Sequence, residues 1–272
     1  MNAESILYIP HEKRNARLRL ICFPYAGGSS LTYWPWIKNL HPDVELVLIQ
    51  LPGRGARFSE APFESMDVMV KAIGVALNAL ARKPFIFFGH SMGARVAYEL
   101  TLQLFMDKQR LPSHIIVSGS PAPFIERKKE LTHDLPDEDF IRHVRVLRGT
   151  PEGVLQNDEL MQLLLPVLRA DFKIVETYCN QYMQKIPTRV SVFAGEKDDI
   201  DLKDMESWLI LFESNAGLYW FNGDHFFVDK FNAEVLLEIN KIIKNYLHHY
   251  HQAFATRHRH RHRNSVFFFL SI

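Results

Sequence analysis

Cysteine is nearly missing from this chain of 272 residues: Cys22 and Cys179 are the only two. Two lone thiols make neither a disulfide framework nor a zinc site, and they suit a reducing compartment. An excess of charge of one sign is also missing. Thirty-two Lys and Arg stand against 31 Asp and Glu, a net charge of +1, which excludes the strong field that nucleic acid or an anionic membrane would call for. No stretch approaches the ~20 apolar residues that span a bilayer. The first ten residues carry Glu4 and lack a basic region before a long apolar run, so they do not read as a signal peptide. A cytoplasmic location is therefore expected, with no membrane or nucleic-acid partner. No internal repeat of fixed period is present.

What the chain does have is ordinary globular chemistry: 47% hydrophobic, 12% aromatic and 23% charged residues. Its length is near the upper limit for one core, so one domain with a substantial insertion is expected. Short apolar runs at 17–23, 44–51, 85–89, 114–118, 189–194 and 218–221 alternate with longer amphipathic stretches. That is the pattern of an α/β fold with a mainly parallel sheet and helices on both faces. Phe85-Ile86-Phe87-Phe88 is apolar on both faces, as a covered central strand should be. Helical spacing appears at 66–82 behind a candidate N-cap, Ser65, and again at 92–106 and 231–246.

One segment, 124–184, breaks the alternation. It has no convincing strand but two helical stretches, 137–147 and 158–182, and Pro166 should kink the second. The reading is an inserted helical lid on one domain of residues 1–250. The end of the chain, 251–272, alternates Arg and His from Arg257 to Arg263 and then turns apolar at Val266 to Leu270. Such histidines could gather a metal ion, and the basic-then-apolar order could touch a membrane. The expectation adopted is a loose, disordered extension, because like charges repel and termini are seldom tied down.

Gly89-His90-Ser91-Met92-Gly93 matches G-x-S-x-G. Alone the match is weak. Its setting is specific, because it follows an apolar strand and opens a helix, as a nucleophile elbow requires. A serine hydroxyl is a poor nucleophile without a base, and in this arrangement the chain order is Ser, Asp, His. Of 13 histidines, six lie at or beyond His248. His11 and His41 precede the serine, His90 sits inside the elbow, His114 begins a strand, and His133 and His143 fall in the lid. His225, in Gly223-Asp224-His225-Phe226, is left as the base. The acid should follow the strand before it, where Glu196, Asp198, Asp199 and Asp201 are all candidates by position. One oxyanion donor should be the N–H of Met92, next to the nucleophile, and the loop Phe23-Pro24-Tyr25-Ala26-Gly27-Gly28 suits the second. Leu51-Pro52-Gly53-Arg54-Gly55-Ala56-Arg57 lacks the ending of a phosphate-binding P-loop and reads as turn chemistry.

Together these residues resemble the type II thioesterases, stand-alone α/β-hydrolases that serve non-ribosomal peptide, polyketide and fatty acid synthases. The resemblance runs from about Leu18 to Leu247. It rests on the Phe23–Gly28 and Leu51–Gly55 loops, the elbow through Ala94, and Gly223-Asp224-His225-Phe226. Gly149-Thr150-Pro151 and Leu165-Pro166-Val167-Leu168-Arg169-Ala170-Asp171 add lid signatures. It implies Asp198 as the acid, with Asp199 in reserve, and Ala26 as the second oxyanion donor. It further implies hydrolysis of acyl thioesters on the phosphopantetheine arm of acyl- or peptidyl-carrier protein domains, without metal or bound cofactor, by a monomer. Clearing misacylated carriers is the expected role; medium-chain release comes second, and a general carboxylesterase or lipase third. Arg142, Arg145 and Arg148 are a conceivable patch for an acidic carrier or simply a solvated helix face.

Overall fold

The computed structural model describes the backbone of residues 6–147, 150 and 152–266, with side chains in that set up to residue 253 except Glu152. Seven strands form one sheet: β1 (Leu7–Tyr8), β2 (Leu18–Phe23), β3 (Val44–Ile49), β4 (Phe85–His90), β5 (His114–Ser118), β6 (Ile186–Gly195) and β7 (Phe212–Phe221). Their order is β1-β3-β2-β4-β5-β6-β7, and every pairing is parallel except the antiparallel contact of β1 with β3. This is the mainly parallel α/β sheet that the alternating pattern implied, in the α/β-hydrolase arrangement that the family resemblance implied.

Helices cover both faces because successive strand residues point to opposite sides. Phe87, Ile115 and Val192 face one core, shared with α1 (Met66–Asn78) and α2 (Met92–Met106). Ile86, Phe88, Ile116 and Phe193 face a second core. Tyr33 and Trp36 from the short 3-10 helix Ser30–Trp36 close that side, together with Val235, Ile239 and Ile243 of the last helix. Each such aromatic or aliphatic side chain contributes about 1.5–3 kcal/mol on burial.

Between β5 and β6 lie three helices: α3 (Asp137–Leu147), α4 (Glu152–Leu155) and α5 (Asp158–Thr177). They carry a small core of their own, built from Phe140, Val144, Leu155, Met161, Leu165 and Leu168. α5 continues through Pro166 and stops at Thr177, five residues before the expected end. Then come α6 (Leu202–Glu206), α7 (Phe227–Lys230) and α8 (Asn232–Val266).

Other expectations also differ from the structure. α8 stays helical through the Arg/His segment that was read as a disordered extension, because a nucleated helix adds a bond for each residue fixed. Residues 267–272 and the side chains of His258, His260 and His262 lie outside the described residues. β7 begins at Phe212 rather than 218. Its first half, Glu213-Ser214-Asn215, is an exposed edge with register shifts beside it and Gly217 at φ +90°, so no apolar run announced it. Ser65 has the extended backbone of an N-cap but makes no side-chain capping bond. No helix among the described residues is long and apolar enough to cross a membrane.

Candidate active site

β4 ends at His90 and α2 begins at Met92, so Ser91 occupies the whole turn, at φ 55° and ψ −115°. That conformation is strained, at a cost of about 1–3 kcal/mol, and it lifts the side chain above the sheet. The Ser91 N–H donates to the Ser118 carbonyl at 2.7 Å, tying the turn to β5. The two glycines are steric necessities. A Cβ on Gly89 would lie 2.1 Å from the Gly93 carbonyl oxygen, and one on Gly93 would lie 2.2 Å from that of Phe23.

His225 follows β7 and precedes α7. Its Nε2 faces Ser91 Oγ at 3.1 Å and its Nδ1 faces Asp198 Oδ2 at 2.9 Å. The carboxylate only accepts, so the Nδ1 proton points at Asp198, leaving Nε2 to accept from the serine hydroxyl. Of the four candidate acids, Asp198 alone reaches the histidine. Asp199 and Glu196 are exposed, and Asp201 starts α6. The loop is set by Asp224, whose Oδ1 accepts the Phe226 N–H at 2.9 Å, while Lys230 Nζ donates to Oδ2 at 2.7 Å.

His90 has a part that the sequence reading did not assign. It is fully buried, with Nε2 2.6 Å from the His225 carbonyl and Nδ1 2.8 Å from Ser118 Oγ. The carbonyl can only accept, so Nε2 carries the proton and Ser118 donates to Nδ1. Burial first, then the neighbouring His225, holds its pKa well below the usual imidazole value, so the ring is neutral. The elbow thus grips the backbone of the loop that carries His225. A buried imidazole between two polar partners leaves no trace in a single sequence.

Met92 opens α2, and a first-turn N–H has no carbonyl partner within its helix. In the facing loop, Gly27 donates to Asp171 and Gly28 to the Tyr25 carbonyl. Ala26 lines the same cavity as Ser91 and His225. That cavity, about 200 Å³, lies between the elbow and the inserted helices, walled by Val144, Leu147, Leu168 and Phe172, with Thr150 at its edge. Tyr25 stacks edge-on against Phe226 and donates its hydroxyl to Asp229 at 2.7 Å. Burial and that carboxylate raise its pKa, and burial raises that of Asp229.

The loop 51–57, read as turn chemistry, does more. Arg54 is buried in an ion pair with Asp171 of α5, and Arg57 pairs with Glu60 while donating to the Gln50 carbonyl at 2.8 Å. Arg142 pairs with Asp139 at 3.1 Å, and Arg148 lies outside the described residues. Both cysteines are free, Cys22 buried and Cys179 exposed. Among the described residues no group of three His, Cys, Asp or Glu could hold a metal ion.

A strained serine at a strand–helix elbow, a histidine and carboxylate in line with it, and helices inserted over the cavity define an α/β-hydrolase. The thioesterase domain family matches residues 18–243. The chain is 36% identical over 222 residues to the gramicidin S biosynthesis protein GrsT of Aneurinibacillus migulanus, covering 81% of this chain and 87% of that one. It is 34% identical to the thioesterase PikA5 of Streptomyces venezuelae, covering 88% and 86%. Among solved structures it is similar to the type II thioesterase BorB from the borrelidin biosynthetic cluster, with a TM-score of 0.80 and 29% identity over 89% of this chain and 98% of that one. The chain belongs to the thioesterase family, among its type II members, and is a hydrolase of thioesters.

Proposed function

We propose that this thioesterase hydrolyses acyl groups from the phosphopantetheine arm of carrier-protein domains, with Ser91 as nucleophile, His225 as general base and acid, and Asp198 as its orienting carboxylate. The observation that carries the reading is the line Ser91–His225–Asp198, at 3.1 and 2.9 Å, opening onto a walled cavity. Ser91 Oγ bonds to the thioester carbon as His225 Nε2 takes its proton. The oxyanion is held by the N–H groups of Met92 and Ala26, each worth about 3–4 kcal/mol in such sites. The carbon–sulfur bond then breaks, the sulfur takes the proton back from His225 Nε2, and the arm leaves as its thiol. With a thiol pKa of ~8.5, departure needs little proton donation. Water gives a proton to His225 as it attacks the acyl-serine carbon, and His225 passes that proton to Ser91 Oγ as the acyl–oxygen bond breaks, freeing the acid and restoring Ser91.

Serine, histidine and carboxylate supply every step, so the scheme calls on no metal or cofactor, and the phosphopantetheine belongs to the substrate. The triad by itself does not favour sulfur over oxygen esters; the carrier-bound substrate is supported by the likeness to GrsT, PikA5 and BorB. We place the protein in the cytoplasm as a monomer that clears stalled or misacylated carriers. The test compares kcat/KM for an acetyl-phosphopantetheinyl carrier protein with that for ethyl acetate and for free acetyl-pantetheine. Preference for the carrier-bound acetyl group by tenfold or more is expected. Faster turnover of the oxygen ester makes it a general esterase, and faster release of octanoyl than acetyl makes it a chain-release enzyme.

A further inference from the structure

The two glycine-rich loops and α5 meet beside Ser91 in an arrangement that the hydrolytic scheme leaves unused. Asp171 of α5 has no exposed surface and Arg54 is 4% exposed. Asp171 Oδ2 accepts the Gly27 N–H at 2.8 Å and a hydrogen bond from Arg54 Nη1, while Oδ1 accepts Arg54 Nη2 at 3.0 Å. Arg54 Nη1 also donates to the Gly28 carbonyl at 3.4 Å, and Nη2 to that of Pro52 at 3.3 Å. Both loops touch α5 through glycine. A Cβ on Gly27 would sit 2.7 Å from Leu168 and one on Gly53 2.8 Å from Val167.

The effect on the oxyanion loop follows from peptide geometry. The Gly28 N–H donates to the Tyr25 carbonyl at 2.8 Å and Gly27 has φ +77°, which makes Tyr25–Gly28 a type II turn. The Tyr25 carbonyl and the Ala26 N–H belong to one planar trans peptide, so they point in opposite directions. With the carbonyl turned into the turn, the Ala26 N–H points out of it. Type I and type II turns differ by a flip of the middle peptide, the one that carries the Gly27 N–H. Asp171 accepts that N–H and so selects the flip.

We infer that Arg54 and Asp171 are positioning residues for the oxyanion loop, the carboxylate holding the Gly27 N–H and with it the turn whose Tyr25 carbonyl–Gly28 N–H bond aims the Ala26 N–H. This rests on the reading of Ala26 as an oxyanion donor. It also joins α5, a helix of the insertion, to the two glycine-rich loops of the domain beneath it. The pairing could not be read along the chain, because 117 positions separate its members.

Both charges are changed together, since removing one would strand the other in the interior. Arg54→Met with Asp171→Leu removes the acceptor; Arg54→Met with Asp171→Asn keeps an amide oxygen for Gly27. In the first pair kcat for acetyl-carrier protein is expected to fall about 10²-fold, within the range for losing one oxyanion donor, with KM within about threefold. The Ki of an alkylboronic acid, whose tetrahedral adduct needs the same donors, should rise by a similar factor. The second pair should recover at least tenfold of the lost kcat. A folded first pair with wild-type kcat and Ki, a loss confined to KM, or equal losses in both pairs would overturn the inference. Should the first pair not fold, hydrogen exchange in the wild type decides: a protected Gly27 amide supports the clamp and a freely exchanging one contradicts it. Wild-type enzyme inert toward every thioester would instead sink the catalytic reading, which keeps the two failures apart.

Discussion

Gly93→Ala turns the packing of the elbow into a number. An added Cβ would lie 2.2 Å from the Phe23 carbonyl oxygen, 2.8 Å from its carbon and 3.0 Å from the Pro24 oxygen, all backbone atoms. Ordinary contact begins at 3.4 Å, so α2 and the end of β2 must part by about 1.2 Å. Overpacking of this kind costs about 1–3 kcal/mol, and at 2–4 °C per kcal/mol in a domain of this size Tm should drop by roughly 2–12 °C. The moving parts are Ser91 on one side and the strand leading to Ala26 on the other. A misplacement near 1 Å between reacting groups is worth about 10²-fold, so kcat should fall by about that factor. Gly74→Ala is the control. Its Cβ would meet Leu100 at 3.4 Å, inside α1 and away from the site, so helix propensity should raise stability by up to about 1 kcal/mol with kcat unchanged. Differential scanning calorimetry and initial rates on acetyl-carrier protein read both effects. Wild-type Tm and kcat in Gly93→Ala would refute the argument that backbone contact at this glycine sets the site.

Asp198→Asn should lower kcat by about 10³–10⁴-fold by favouring the wrong His225 tautomer, whereas Asp199→Asn should change it less than threefold; the reverse order in steady-state kinetics would move the acid by one position. Burial depresses the pKa of His114 to about 3 and that of His90 well below normal, so both are neutral in the fold and free to protonate in the unfolded chain. Their contribution is complete above the unfolded value near 6.5 and is lost as pH falls below it. Urea unfolding at pH 5.5 should therefore show about 1.4 kcal/mol less stability than at pH 7.5 from His114, with His90 acting in the same direction. A flat profile, or one that His114→Leu leaves equally steep, contradicts this. Truncation after Tyr250 removes the exposed contacts of His251 with Arg17 and of Gln252 with His248, both far along the chain from the triad, so kcat should stay within twofold. A tenfold loss would give the tail a part in turnover.

How much could be read along the chain depended on how local the physics was. β4, α2 and the elbow between them were legible because the apolar run, the Gly-x-Ser-x-Gly turn and the helical spacing adjoin one another. β5 was legible because all five of its residues are buried. The first half of β7 was not, since an edge strand with Glu213, Ser214 and Asn215 facing out has the composition of a loop. Ser91 and His225 followed from chemistry and chain order, but four carboxylates stood near the right place, and only the turn of the loop separates Asp198 from Asp199. Arg54 and His90 were hidden for another reason. Each acts through partners that meet it only in the folded state, Asp171 above all for Arg54 and the His225 backbone for His90, and neither pairing has a periodicity or a spacing.

The central claim is that Ser91 takes an acyl group from a carrier-bound thioester. Its most direct test is intact-mass spectrometry of an acetyl-phosphopantetheinyl carrier protein incubated with the enzyme, beside a Ser91→Ala variant shown by circular dichroism to be folded. The account predicts that the carrier loses the acetyl mass with the wild type and keeps it with Ser91→Ala. Loss of acetyl at equal rates with both proteins, or retention with both while a simple oxygen ester is cleaved, would contradict it.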